Sequence, residues 1–236
     1  MATEDAGDRR IPSIADSVPN RIEAAFDDFT EVDKLGSGGN ADVTKVEFDG
    51  RGPDTVAIKQ PRMQGTLDQE SIKQFVDEAE TWNKIDDHNH IVGVLDWNSE
   101  PLPWIALEYM DGGDLNTRIG DLSIAEALWI GVGTAKAVRH AHRRGVAHLD
   151  LKPENILFQT TEADTWDIPK VTDWGLAKML LDHSKSVEGL SPEYAAPEQF
   201  DADSYGAPDD MTDIYAIGAV VYASLTGNPP FVGASS

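Results

Sequence analysis

Apolar and polar positions change period several times along this chain, and each change predicts a different element. From Phe29 to Lys59 apolar residues alternate with polar ones around a glycine cluster, with Asp49-Gly50 and Gly52-Pro53 as breakers, which predicts three strands of a small antiparallel sheet. Between Leu67 and Ile85 the period lengthens: Ile72, Phe75, Val76, Ala79, Trp82 and Ile85 recur at helical spacing and predict one amphipathic helix. The runs Ile91 to Asp96 and Trp104 to Tyr109 then read as two further strands, and Gly112-Gly113 breaks the chain as a linker does.

Past that break the pattern turns mainly helical. Ser123 followed by Glu126 has the form of a capping box, opening a helix to about Arg144 that Gly145 ends. Short strands are predicted near 156 to 158 and 170 to 172. Thr212 is read as the cap of a helix that is apolar all round until Gly227, the pattern of a helix buried in the middle of a helical lobe. Ahead of all this, residues 1 to 28 are a mixed-charge lead whose short apolar pattern, Ile22, Ala25 and Phe26, predicts one amphipathic turn or helix. The expected division is an N-terminal lead at 1–28, a sheet lobe at 29–110 and a helical lobe at 111–236.

Composition narrows the class of function. Asp and Glu number 42 against 19 Lys and Arg, a net charge of −23 over 236 residues, and this acidity is spread along the whole chain. A surface of that sign repels phosphate backbones, so nucleic acid is not an expected partner. Such acidity suits either an ordinary acidic enzyme or, the sharper reading, a protein adapted to a high-salt interior where counterions screen its self-repulsion. Cysteine is absent, which excludes disulfides, thiolate metal sites and cysteine nucleophiles. The polar first residues do not form a signal peptide, and the longest apolar run, Ile214 to Ala223, is too short for a membrane span. A cytoplasmic location is the expectation.

Candidate chemistry sits at the joints between these elements. Gly36-Ser37-Gly38-Gly39 forms a turn whose missing side chains let backbone N–H groups approach phosphates, although Ala41 then stands where a third spaced glycine would lend more freedom. In Val56-Ala57-Ile58-Lys59, alternation puts small Ala57 and cationic Lys59 on one face; the bland alternative is a solvated lysine on an edge strand. Glu78 lies at the border of the apolar face of the predicted helix, where it is either a surface residue or a partner for a sheet cation. His88 with His90, and His140 with His142, stand at i,i+2 spacing, which shares no helix face and argues for structural roles over a metal site.

The run His148-Leu149-Asp150-Leu151-Lys152-Pro153-Glu154-Asn155, followed by Asp173-Trp174-Gly175, Ser191-Pro192-Glu193-Tyr194-Ala195-Ala196-Pro197-Glu198 and Asp213-Ile214-Tyr215-Ala216-Ile217-Gly218, resembles the catalytic domain of eukaryotic-like (Hanks-type) serine/threonine protein kinases. The resemblance implies an α+β, two-lobed protein kinase fold: an antiparallel sheet plus one helix, then a mainly helical lobe that is incomplete at its C-terminus. It implies transfer of the γ-phosphoryl group of ATP to Ser/Thr hydroxyls of protein substrates, with Mg2+ as cofactor. On that reading Asp150 orients the substrate hydroxyl, Lys152 contacts the transferred group, Lys59 and Glu78 form an ion pair, and Asn155 and Asp173 hold the metal. Gly36, Ser37, Gly38 and Gly39 cover the phosphates. Val43, Ala57 and Leu157 enclose the adenine, and Glu108 and Met110 offer it backbone groups.

Departures from the family pattern carry their own expectations. Leu149 replaces the arginine that pairs with a phosphorylated activation loop, so activity is expected without phosphorylation of Ser184 or Ser186. The family arginine that pairs with a glutamate at Glu198 falls beyond Ser236, so the sequence reads as a fragment whose Glu198 lacks its partner. The alternative function is a pseudokinase or nucleotide-binding scaffold. A small-molecule phosphotransferase is disfavoured by residues 191 to 198, which such enzymes lack.

Overall fold

The computed structural model describes residues 9–14, 19–38, 41–62, 69–176, 178–179 and 191–231. Among these, residues 19–109 form one compact unit and residues 110–231, with 9–14, another.

The first unit is a five-stranded antiparallel sheet in the order β1-β2-β3-β5-β4, with β1 Phe29–Gly38, β2 Ala41–Phe48, β3 Thr55–Pro61, β4 Val94–Asn98 and β5 Trp104–Glu108. Helix α1, Gln69–Asn83, follows β3. Val56 and Ile58 enter an apolar cluster with Val46, Phe48, Leu95 and Trp104, while Phe75, Ala79 and Trp82 are the buried stripe of α1. Each such side chain withdrawn from water contributes about 1.5–3 kcal/mol. Because β3 is flanked by β2 and β5, Lys59 occupies the middle of the sheet, not an edge.

Two expectations shift in this unit. The fourth strand starts at Val94, not Ile91, because the backbone before it is used elsewhere: the Trp82 indole N–H donates to the Val92 carbonyl at 2.8 Å, and the Asp86 carboxylate accepts from the Val94 N–H at 2.9 Å. The lead is also not one amphipathic turn or helix over that pattern: residues 21–25 have no helical structure, and only Phe26–Asp28 form a short 3-10 turn. Ile22 is buried in the sheet cluster with Ala24 and Phe26 against it, whereas Ala25, expected on the apolar side, is exposed. Arg21 grips the buried Asp86 through two bonds of 2.6 and 2.9 Å, and the Ile22 N–H donates to the Leu95 carbonyl at 3.1 Å.

The second unit is built on α2, Ile124–His142, packed against α5, Asp210–Thr226. Gly131 makes the close approach possible, since a Cβ there would lie 2.8 Å from the Val221 side chain. Strands β6 Val146–Ala147, β7 Ile156–Gln159, β8 Ile168–Val171 and β9 Lys178–Met179 form two small hairpin-like pairs, β6 with β9 and β7 with β8; α3 Pro197–Phe200 and α4 Ala202–Tyr205 precede α5. The Ser123 hydroxyl accepts from the Glu126 N–H at 3.2 Å, and Gly145, at φ 75°, turns the chain after α2. Gly112 is anchored as well as a break, donating to the Phe158 carbonyl at 2.8 Å, and a Cβ would collide with Phe158. Arg10 pairs with Asp164 in this same unit.

The cap of α5 differs from expectation. Asp209 is its N-cap, accepting from the Met211 N–H at 2.8 Å, and Thr212 lies inside the first turn, where its hydroxyl accepts from the Asp209 N–H at 3.1 Å. Aspartate wins because its carboxylate is both acceptor and charge complement to the helix N-terminus. Nor is α5 buried all round: Ala216, Ala219, Val220 and Ala223 face α2 and its neighbours, while Ile214, Tyr222 and Leu225 are nearly half exposed. Among the described residues, no helix is long and apolar enough to cross a membrane.

Candidate active site

The sheet unit and the helical unit each carry part of the predicted constellation. In the sheet, register sets Val43 opposite Lys59 and Lys45 opposite Ala57. Lys59 and Ala57 are both buried, and the Lys59 ammonium lies 2.5 Å from a carboxylate oxygen of Glu78 on α1. With side chains only 10% and 12% exposed, this pair is poorly screened, so the two charges stabilise each other more than a surface pair would. Helical periodicity makes this contact: Ala79 and Trp82 bury one stripe of α1, and Glu78 sits on its flank, turned to the sheet.

The glycine segment continues β1 and β2, pairing Gly36 with Val43, Ser37 with Asp42 and Gly38 with Ala41. A side chain at Gly36 would meet no protein atom within 4 Å, so packing inside the unit does not demand glycine there. Gly39 lies outside the described residues, as do Ser184 and Ser186. At the end of β5 the Glu108 N–H donates to the Gly93 carbonyl at 2.9 Å, and its carboxylate accepts from the Gly93 N–H at 3.2 Å. Met110, which follows in the helical unit, is buried; Leu157 on β7 is partly exposed.

In the helical unit the segment 148–155 folds into a tight, self-bonded loop. The Lys152 ammonium donates to the Asp150 carboxylate at 2.8 Å, and the Asn155 side-chain N–H donates to the Asp150 carbonyl at 2.8 Å. That second bond fixes the Asn155 amide against the loop backbone through its nitrogen. Asn155 stands just before β7 and Asp173 just after β8; the pairing of Ile156 with Val171, extended by the Thr172 N–H donating to the Asn155 carbonyl at 3.0 Å, brings both to one end of the hairpin. An amide oxygen and a carboxylate are the hard donors Mg2+ prefers, and a cation that keeps waters and phosphate oxygens in its shell needs few protein ligands. The donor set therefore fits that metal. Among the described residues no group of three or more His, Asp or Glu forms a self-sufficient metal site.

Two residues around Asp150 have unusual backbones. Leu149 lies at φ 64° and Asp173 at φ 61°, the left-handed region where a side chain costs about 1–3 kcal/mol. The cost at Leu149 is offset by Asp213 of α5. This fully buried carboxylate accepts from the His148 N–H at 2.7 Å, the Leu149 N–H at 2.8 Å and the His142 Nε2–H at 2.7 Å. His148 is buried as expected but does more than pack: Nδ1 accepts from the Asp150 N–H at 3.3 Å, Nε2 donates to the Thr172 carbonyl at 2.9 Å, and the ring lies 4.7 Å from that of Trp174. It ties the strand leading to Asp173 to the loop carrying Asp150.

The structural role expected of His140 and His142 takes the form of the His142–Asp213 contact, a partner that sequence spacing does not reveal, while His140 meets Arg144 at 3.1 Å. Glu198, expected without a partner, accepts from the Thr212 hydroxyl at 2.6 Å. Nearby, Tyr194 is held above the usual phenol range, first by burial and then by the carboxylates of Glu154 and Glu193, so its hydroxyl stays neutral.

Comparison with known proteins bears on the family to which the chain belongs. A model of the protein kinase domain matches residues 29–236. The serine/threonine-protein kinase PrkC of Bacillus subtilis is 37% identical over 210 residues, covering 86% of this chain and 31% of PrkC. PknB of Mycobacterium leprae is 33% identical over 215 residues, covering 86% of this chain and 33% of PknB, and Pkn1 of Myxococcus xanthus is 34% identical over 210 residues, covering 86% and 29%. The chain thus spans about a third of the length of these curated relatives. A buried lysine–glutamate pair on the sheet, a bonded Asp-Lys-Asn loop in the helical unit and a family match across most of the sequence lead to one statement: this chain belongs to the protein kinase domain family.

Proposed function

We propose that this chain is the catalytic domain of a serine/threonine protein kinase, moving the γ-phosphoryl group of ATP to Ser or Thr hydroxyls of protein substrates. The observation that carries the reading is the loop in which Lys152 sits 2.8 Å from the Asp150 carboxylate while Asn155 braces the Asp150 backbone. Phosphoryl transfer asks little covalent chemistry of the protein; it asks for positioning and for positive charge where negative charge spreads. Asp150 accepts the proton side of the incoming hydroxyl and aligns its oxygen. Lys152, already beside that carboxylate, meets the transferred phosphoryl oxygens. Lys59, oriented by Glu78, neutralises nucleotide phosphates, which Gly36, Ser37, Gly38 and Gly39 cover with backbone N–H groups. Val43, Ala57 and Leu157 take the adenine faces, and Glu108 and Met110 its polar edge. Asn155 and Asp173 would hold Mg2+, which supplies charge neutralisation at the phosphates.

The serine/threonine assignment draws on the names of the relatives, on Lys152 and on Ser191 before Pro192. Protein substrates and ATP are the partners, nucleic acid is not one, and the site faces the cytoplasm, where ATP is held. The test is phosphate transfer from labelled Mg-ATP to a basic protein by the native chain and by Asp150→Asn. The native chain transfers label and the variant loses nearly all of it. Equal signals would overturn the reading and leave a nucleotide-binding scaffold.

A further inference from the structure

We infer that Gln199 is a positioning residue for catalysis, holding the Leu149–Asp150 peptide in the orientation the reaction requires. The inference rests on the kinase reading above. Gln199 lies on α3, 50 residues beyond Leu149, and its amide reaches in two directions: Nε2 donates to the Leu149 carbonyl at 2.7 Å, and Oε1 accepts from the Ala196 N–H at 3.0 Å. The second bond fixes the side chain to the start of its own helix, so the first acts as a rigid arm.

Leu149 needs that arm. It is a non-glycine residue in the left-handed region, so its torsions drift back unless both of its backbone polar groups are held. Asp213 holds the N–H at 2.8 Å and Gln199 holds the C=O. The C=O belongs to the peptide that leads directly into Asp150; its rotation turns the Asp150 Cα–Cβ direction away from where a substrate hydroxyl would sit. Leu149 is itself buried, so water is a poor substitute for the amide. No sequence pattern reveals this role, because the partner of Gln199 is a backbone atom.

The test uses the whole chain with three forms: native, Gln199→Met and Gln199→Glu. Methionine keeps the volume and loses both bonds. Glutamate keeps an acceptor for Ala196 but, when ionised, sets an anionic oxygen against the Leu149 carbonyl; when protonated, it regains a donor. Asp150, Asp213 and the neutral phenol of Tyr194 line the same small cavity as Gln199, and the two carboxylates push an introduced carboxyl above its usual range. At saturating Mg-ATP we expect Gln199→Met to lower kcat about tenfold with KM for ATP within about twofold of native. For Gln199→Glu, the ratio of its kcat to the native kcat is about tenfold down at pH 8 and recovers at least about threefold by pH 6, because only the protonated form donates. Dividing by the native profile removes every pH effect that the two forms share. A flat ratio in Gln199→Glu, or a rise in KM at unchanged kcat, would overturn the inference whatever the stability of Gln199→Met. Failure of the native chain to transfer phosphate would instead sink the kinase reading itself.

Discussion

Replacing Asp213 by Asn swaps a carboxylate for an amide of almost the same shape, and the structure fixes what that exchange does. Three donors converge on two oxygens: the Leu149 N–H on one, the His148 N–H and the His142 Nε2–H on the other. An asparagine has a single acceptor oxygen. Its better orientation serves His148 and His142 and turns its own N–H2 toward the Leu149 N–H, leaving that buried donor unsatisfied at about 1–3 kcal/mol. The two surviving bonds lose their charge assistance, about 1 kcal/mol each. Relief of carboxylate desolvation offsets part of this, so a net destabilisation of about 2–4 kcal/mol is expected, a substantial share of the ~5–15 kcal/mol typical of a domain. The orphaned N–H is that of Leu149, so the distortion is largest where Asp150 begins, and a hundredfold fall in kcat corresponds to about 2.7 kcal/mol in the barrier. Urea unfolding followed by circular dichroism gives the first quantity and phosphate transfer at saturating Mg-ATP the second. An Asp213→Asn chain with native midpoint and native turnover would refute the reasoning, since it would mean that the carboxylate is not what holds Leu149 in its left-handed conformation.

Four further outcomes follow from the same geometry. Lys59→Met and Glu78→Gln each destabilise the sheet unit, and the double variant is less destabilised than the sum by at least about 1 kcal/mol, because each single change removes the attraction that the two poorly screened charges share; strict additivity in thermal unfolding would show that the pair is not coupled. Asp86→Asn costs about 2–3 kcal/mol through the lost grip of Arg21, read as a lowered urea midpoint, with Arg21→Ala giving a similar loss. Ser184→Ala and Ser186→Ala retain most turnover, since Leu149 offers no cation for a phosphorylated loop; a tenfold loss at either would contradict this. With a net charge of −23, the chain gains helical and sheet signal as salt is raised from low to molar concentration; full native circular dichroism without added salt would dismiss the high-salt adaptation.

Sequence pattern reached far wherever one physical rule decided the outcome. Helical spacing put Glu78 on the flank of α1 beside the buried Ala79 and Trp82, and glycine conformational freedom marked the ends at Gly145 and Gly227, both at positive φ. The loop from His148 to Asn155 was legible because its chemistry demands particular residue types at fixed separations. Where two rules competed, the reading slipped. Both Asp209 and Thr212 are good caps, and only the folded backbone decides that the earlier one closes α5 while the later one bonds back to it and on to Glu198. The start of β4 moved because Trp82 and Asp86, ten and eight residues upstream, claim the backbone of Val92 and Val94 through bonds that follow no strand or helix period. Contacts to backbone atoms across long separations, such as Gln199 to the Leu149 carbonyl and Arg21 beside Val94, leave no periodic trace at all.

Ile22 sits ahead of the stretch matched by the family, which begins at Phe29, yet it fills the floor beneath Phe48 and Trp104. The stretch matched by the family and the residues that seal its sheet core therefore have different borders here. Grafting this domain onto another protein at the family border would leave a greasy socket uncovered and Asp86 without its guanidinium, whereas a splice made about ten residues earlier would transfer a sealed module.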